Sequence, residues 1–178
     1  GKCGQINWQE IPPLRNWRNS VDGSEITVSP QLQLTADSQF LYFFYRDAAG
    51  GSAASSEHFW NDCAELFFYG DNAYPMLQLA ISPAGKTLAI RYRKIHTSNP
   101  DGDQEVVQSE NLEFPGELQF REENGNWSWT LALPLTSLPP FDGNQFRCNF
   151  FRSRPDWNSP AAWSPVYSTS FRSRPENF

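Results

Sequence analysis

Asp62 and Glu65 stand three residues apart at the start of an apolar run, and a pair of carboxylates is the minimum equipment for hydrolysing a glycosidic bond. On an extended strand, residues at that spacing point to opposite faces, so the two could not flank one bond. Glu65 has a different significance. It is one of few charges inside an otherwise apolar segment, where an unpaired carboxylate would cost several kcal/mol, so it needs either an arginine or a ligand as partner. Arg91, Arg93, Arg147 and Arg152 are the arginines placed to serve. His58 and His96 have neither metal-ligand spacing nor a nearby nucleophile motif, which argues against triad chemistry. In Asp101-Gly102-Asp103-Gln104-Glu105, Asp101 and Asp103 offer oxygens to a structural calcium ion, but the longer pattern of an EF-hand loop is missing and acidic turns are usually just solvated. No other cofactor is expected.

The elements that must position these groups are strands. Turn residues recur at short intervals, and the segments between them alternate or run apolar for a few residues, the pattern of an all-β, two-sheet antiparallel sandwich of jelly-roll-like type with short helical turns. Strands are predicted over 31–35, 40–45, 63–69, 76–82, 88–95 and 145–151, with 40–45 central and covered on both faces because it is almost wholly aromatic. Asn124-Gly125 marks a tight hairpin joining 117–121 to 127–133. In its second strand Trp127, Trp129, Leu131 and Leu133 share one face and form a core stripe. A proline-bounded segment, 134–140, holds one helical turn. Residues 47–56 read as a loop. From 152 onward the chain reads as loop, yet it carries so many aromatic residues that it must pack on the body or face a ligand.

The chain has 178 residues, a formal net charge of -6 and 15% aromatic against 19% charged residues, which fits a single β-rich domain spanning 1–178. That charge disfavours nucleic acid and anionic membrane surfaces as partners, and no stretch is long and apolar enough for a spanning helix. No charged-then-apolar leader opens the chain, so an exported protein would have lost its signal. Cys3, Cys63 and Cys148 allow one bridge at most. Cys63 and Cys148, both in strand-like runs, either face each other in a disulfide or remain buried thiols. Cys3 follows Gly1-Lys2, which is no remnant of a lipid-anchor motif.

Several segments, in order, resemble the family 9 carbohydrate-binding modules and the wider DOMON-like β-sandwich superfamily. They are Ile11-Pro12-Pro13-Leu14, the strand Leu41-Tyr42-Phe43-Phe44, the run Phe59-Trp60-Asn61-Asp62-Cys63-Ala64-Glu65-Leu66-Phe67-Phe68, and the strand from Met76 to Pro83 with Gly85 after it. Arg147-Cys148-Asn149-Phe150-Phe151-Arg152, Trp163-Ser164-Pro165, Phe171-Arg172 and Pro175-Glu176-Asn177-Phe178 complete the series. The resemblance spans nearly the whole chain and implies a sugar held between two aromatic rings near one end of the sandwich. By position, Trp60 corresponds to the first ring, with Phe59 as the alternative in that slot. Glu65 takes the acidic hydrogen-bonding position and Gln78 a polar strand position. Phe171 takes the second ring, where the family usually has Trp. Arg152 and Trp157, in an aromatic-rich terminal segment, are further lining candidates.

The implied role is a non-catalytic module that targets a polysaccharide-active protein to its substrate, with an oligo- or polysaccharide as ligand and no membrane insertion. It would act as a monomer or within a multidomain chain, secreted, periplasmic or at the cell surface, and attachment to a glycoside hydrolase fits that role. Two alternatives stand beside it: a haem-binding domain of the same superfamily using Met76 with His58 or His96, and a structural or protein-interaction spacer in which the aromatic residues are all core.

Overall fold

In the computed structural model, the described residues are 2–27, 30–48, 59–70, 74–99, 102–124, 126–141 and 146–168. They form eleven strands: β1 (Arg18–Asn19), β2 (Gln31–Ala36), β3 (Phe40–Ala48), β4 (Cys63–Tyr69), β5 (Met76–Ile81), β6 (Thr87–Asn99), β7 (Gly102–Leu112), β8 (Glu117–Glu123), β9 (Asn126–Pro134), β10 (Arg147–Ser153) and β11 (Ala161–Ala162). One sheet has seven strands in the order β1-β11-β10-β4-β5-β6-β7, the other four in the order β2-β3-β9-β8. All pairings are antiparallel. The only helical segments among the described residues are short 3-10 turns, one of them at Leu135–Ser137 in the predicted proline-bounded segment.

Strand periodicity explains the packing. Trp127, Trp129, Leu131 and Leu133 all project inward from β9 and meet Leu41, Phe43 and Tyr45 of β3 and Ala64, Leu66 and Phe68 of β4 in one inter-sheet core. Tyr45 stacks on Trp129 with ring centres 5.0 Å apart and planes 8° from parallel. The outer face of β3 is covered as well, because the chain start lays Cys3, Ile6 and Trp8 over Phe40, Tyr42 and Ala132, and Trp8 meets Phe44 at 5.7 Å. The Tyr42 hydroxyl donates to Asp37 at 2.7 Å, closing the turn between β2 and β3. At the β8–β9 turn Asn124 adopts φ 52°, the left-handed geometry that a tight hairpin requires.

Two expectations need correction, and one alternative left open is resolved. The acidic segment after Asp101 is no loop: Asp103 pairs with Ser98, and the ladder runs on to Leu112 opposite Ala89. Its lack of apolar alternation hid it, because β7 is an edge strand exposed over 104–111 and held by main-chain bonds to β6. The last β5–β6 pair is Met76 with Tyr92, so beyond Tyr92 the β6–β7 ribbon runs on without a third strand beside it among the described residues. Secondly, Ala161–Ala162 forms a buried strand between β10 and β1 in the segment read as loop. As for the disulfide left open, Cys63 pairs with Ser153 whereas Cys148 pairs with Phe68, a displacement of about 17 Å along the ladder that is far beyond disulfide reach. All three cysteines are free thiols.

Burial pushes the Cys148 thiol up to about 11. Alkylation at pH 8 should therefore proceed slowly at Cys148 in the folded protein and give three labels per chain in denaturant without reductant. Fewer than three labels, counted by mass spectrometry, would contradict the thiol assignment.

Candidate functional site

Phe59, Trp60, Asp62 and Arg152 lie at the end of the sandwich where β3 and β10 finish and β4 and β9 begin. Phe59–Asn61 forms a single 3-10 turn directly before β4. It displays the Trp60 ring, which is 37% exposed. Phe59 stands edge-on to it at 5.3 Å and is itself half-buried. The turn is anchored from below: Asp62 accepts a 2.6 Å hydrogen bond from Arg152 Nη1.

Arg152 is the centre of that anchor. Only 1% exposed, it points into the interior, where its Nε donates to Asp47 at 2.6 Å. Its Nη1 also reaches the Cys63 and Ser153 carbonyls. The Trp127 ring lies 5.0 Å from its guanidinium carbon. Burial alone would depress the Arg152 pKa, but the paired Asp47 and Asp62 carboxylates help outweigh it and hold the guanidinium above its ordinary value. Burial in turn holds the Tyr45 hydroxyl neutral well above its usual range. Arg154 joins the network: it lies 3.9 Å from Asp47, pairs with Asp156 and covers Trp157 at 5.0 Å. Hydrogen bonding from Arg154 lowers the Asp156 pKa.

Arg152 and Trp157, read from sequence as lining a ligand, are thus engaged in the protein's own framework. Arg152 spends its donors on two carboxylates and two carbonyls, and Trp157 is half-buried against the inter-sheet core beneath Arg154. The signal for Arg152 was hidden, because residues 47–56 read as a loop whereas β3 runs on through Asp47 to Ala48 and turns that acid inward. It is 2% exposed, and a buried acid there demanded a basic partner.

Glu65 points the other way. Next to inward-facing Ala64, which pairs with Arg152 across β10, it lies on the outer face of the seven-stranded sheet with Phe67 and Tyr69. This face is also covered, since every residue of β4 is buried. Gln78 Nε2 donates to Glu65 Oε2 at 2.5 Å, and the Tyr92 hydroxyl donates to Gln78 Oε1 at 2.7 Å. These three groups form a directional chain ending on the carboxylate. Glu65 and Gln78 are therefore brought together, as the sequence pattern placed them, whereas Tyr92 was missed because it sits among charged residues of β6. Asn149, also missed, pins the following segment: it donates to the Ser164 carbonyl and accepts from the Ser164 amide.

Asp62 and Glu65 face opposite sides, so they make no catalytic pair. Met76 is buried in the outer cluster of the seven-stranded sheet, and exposed His96 lies on the ribbon four residues beyond Met76's pairing partner Tyr92. At that separation of about 13 Å along the strand they cannot share one iron. Phe171, His58 and Asp101 lie outside the described residues, and so does the side chain of Asp103. Among the described residues no three potential metal-ligating side chains cluster.

No protein-family model matches the sequence, and no curated protein does. Solved structures match by shape. A family 9 carbohydrate-binding module from Caldicellulosiruptor kristjanssonii in complex with glucose aligns over 98% of this chain and 86% of its own, with a TM-score of 0.59 and 10% identity. A structure of such a module from the same organism in complex with cellotriose aligns over 87% and 72%, with a TM-score of 0.51 and 11% identity. A Bacteroides uniformis protein provisionally described as carbohydrate-binding aligns over 90% and 79%, with a TM-score of 0.50 and 14% identity. The chain has a fold like that of family 9 carbohydrate-binding modules.

Replacing Arg152 with Met should cost about 3–5 kcal/mol, because it strands two carboxylates beneath the Trp60 turn. Urea unfolding monitored by tryptophan fluorescence checks this, and a loss below 1 kcal/mol, the order of an exposed ion pair, would contradict the role given to Arg152.

Proposed function

We propose that the chain is a non-catalytic carbohydrate-binding module that holds a glycan against Trp60 and localises a polysaccharide-active protein on its substrate. The observation that carries this reading is the Trp60 ring, presented to solvent on a turn that a buried ion pair fixes. A pyranose offers a face of C–H bonds to such a plane, and binding needs polar groups at its rim as well. Glu65, only 2% exposed and held by Gln78 and Tyr92, is proposed as an acceptor for a sugar hydroxyl on the strength of the resemblance to family 9 modules. Phe171 is proposed as the second ring. The shape match with modules bound to glucose and cellotriose supports the sugar class.

The proposed mechanism is localisation alone. One stacked ring supplies modest free energy, so tight attachment to a polymer would come from several modules or from a multidomain parent, for which a glycoside hydrolase is the fitting example. Secretion or surface display follows from a polymeric substrate. A structural calcium at Asp101 and Asp103 belongs to the same proposal.

Calorimetry against soluble oligosaccharides, cellotriose among them, tests the reading. Trp60→Ala should weaken binding by at least about 2 kcal/mol, roughly thirtyfold, with the protein still folding cooperatively, because Trp60 lies outside the three core clusters. Glu65→Gln should weaken binding too. Absence of heat with every sugar, or full affinity in Trp60→Ala, would leave only a spacer domain.

A further inference from the structure

The outer face of the four-stranded sheet carries a second recognition surface that the Trp60 site does not use. Inward Tyr45 and Asp47 force Arg46 outward on β3, and the same alternation turns Ser128 of β9 and Arg121 of β8 to that side. Ser128 pairs with Arg46 on one flank and with Arg121 on the other. Two exposed guanidinium groups therefore stand on one row, their Cα atoms about 10 Å apart across the middle strand. This row floors a groove of about 370 Å³ that runs into an adjoining one of about 270 Å³, the two sharing Phe44, Ser128 and Arg121. Trp8, tilted against half-buried Phe44, walls the second groove.

Arg18, Arg91, Arg152 and Arg154 each have a carboxylate within 4.0 Å. Arg46 and Arg121 have none among the described residues, which is also true of Arg15, Arg93 and Arg147, but Arg46 and Arg121 flank the same residue, Ser128, on one row of a sheet. Although the net charge of -6 repels polyanions at long range, these two guanidinium groups make a local positive row beside Phe44, which lines both grooves. Guanidinium groups bind carboxylates bidentately, aromatic faces take pyranose rings, and Ser128, Gln119 and Asn126 supply hydroxyl partners in the same grooves. Glu123, one row further along at the Asn126 pair, would repel a carboxylate and so fixes the acid over the arginine row.

We propose that this groove binds the uronic-acid residues of an acidic polysaccharide, with the carboxylate between Arg46 and Arg121 and the sugar ring against Phe44. The sugar class rests on the function proposed above, but the site is independent of Trp60. The test is titration of the chain with trigalacturonate and with cellotriose in parallel, on wild type, Arg46→Ala/Arg121→Ala and Trp60→Ala. Both arginines are exposed, so the double variant should fold as wild type, checked by its unfolding midpoint. The expected result is that the double variant loses about tenfold or more in trigalacturonate affinity and keeps its cellotriose affinity, whereas Trp60→Ala shows the reverse. Trigalacturonate binding that depends on the arginines, with no cellotriose binding anywhere, would uphold the groove and sink the Trp60 reading. No trigalacturonate binding, equal binding by the double variant, or full competition by acetate at matched carboxylate concentration would overturn the inference.

Discussion

A guanidinium group removed from water between two sheets can exist only if its positive charge is met on several sides at once, and at Arg152 that requirement organises one end of the molecule. Asp47 comes from the four-stranded sheet, Asp62 from the turn before β4, and Arg152 itself from the seven-stranded sheet. The ion pair therefore joins both layers and the segment bearing Trp60. Such a buried pair adds little net stability compared with apolar packing. Its value lies in geometry, because the short contacts to Arg152 leave the turn few alternative positions.

The same end shows how one strand can serve two separate polar systems. Inward residues of β4 and β10 serve the ion pair and the aromatic stack of Tyr45, Trp127 and Trp129. Outward residues of the same strands and of β5 and β6 serve the chain from Tyr92 through Gln78 to Glu65. A single residue step along β4 passes from one system to the other. Glu65 and Gln78 on the outer side are themselves buried, so the Tyr92–Gln78–Glu65 chain holds the carboxylate in a fixed orientation.

Most of the strand framework was legible because its residues alternate or run apolar between turn residues. Segment 63–69 was read with its true limits, and the Asn124-Gly125 hairpin and the inward stripe of β9 follow from spacing alone. The strand β7 was not legible, since it buries no face and its cohesion is main-chain hydrogen bonding, which leaves no periodic mark. The site was legible in part. Glu65 stood out as a charge in an apolar strand, Gln78 was named only through the resemblance to family 9 modules, and the two do meet. Arg152 stood out too, but a sequence shows only that a charge is present in the terminal segment; whether it faces a ligand or a buried acid depends on the pairing of strands distant along the chain. Asp47 and Arg152 are brought together solely by the packing of one sheet on the other.

The long edge formed by β7 has a bearing on how this protein behaves at high concentration. An outermost strand of eleven residues offers a row of unsatisfied amides and carbonyls to any other exposed strand. Its protection is chemical rather than steric: Glu105 and Glu110 punctuate it and lean on Lys94 and Arg91 of the neighbouring strand, so an approaching edge would have to desolvate charge before forming its first main-chain bond. Exposed Val106 and Val107 in the middle of the strand are the apolar stretch that these flanking charges guard.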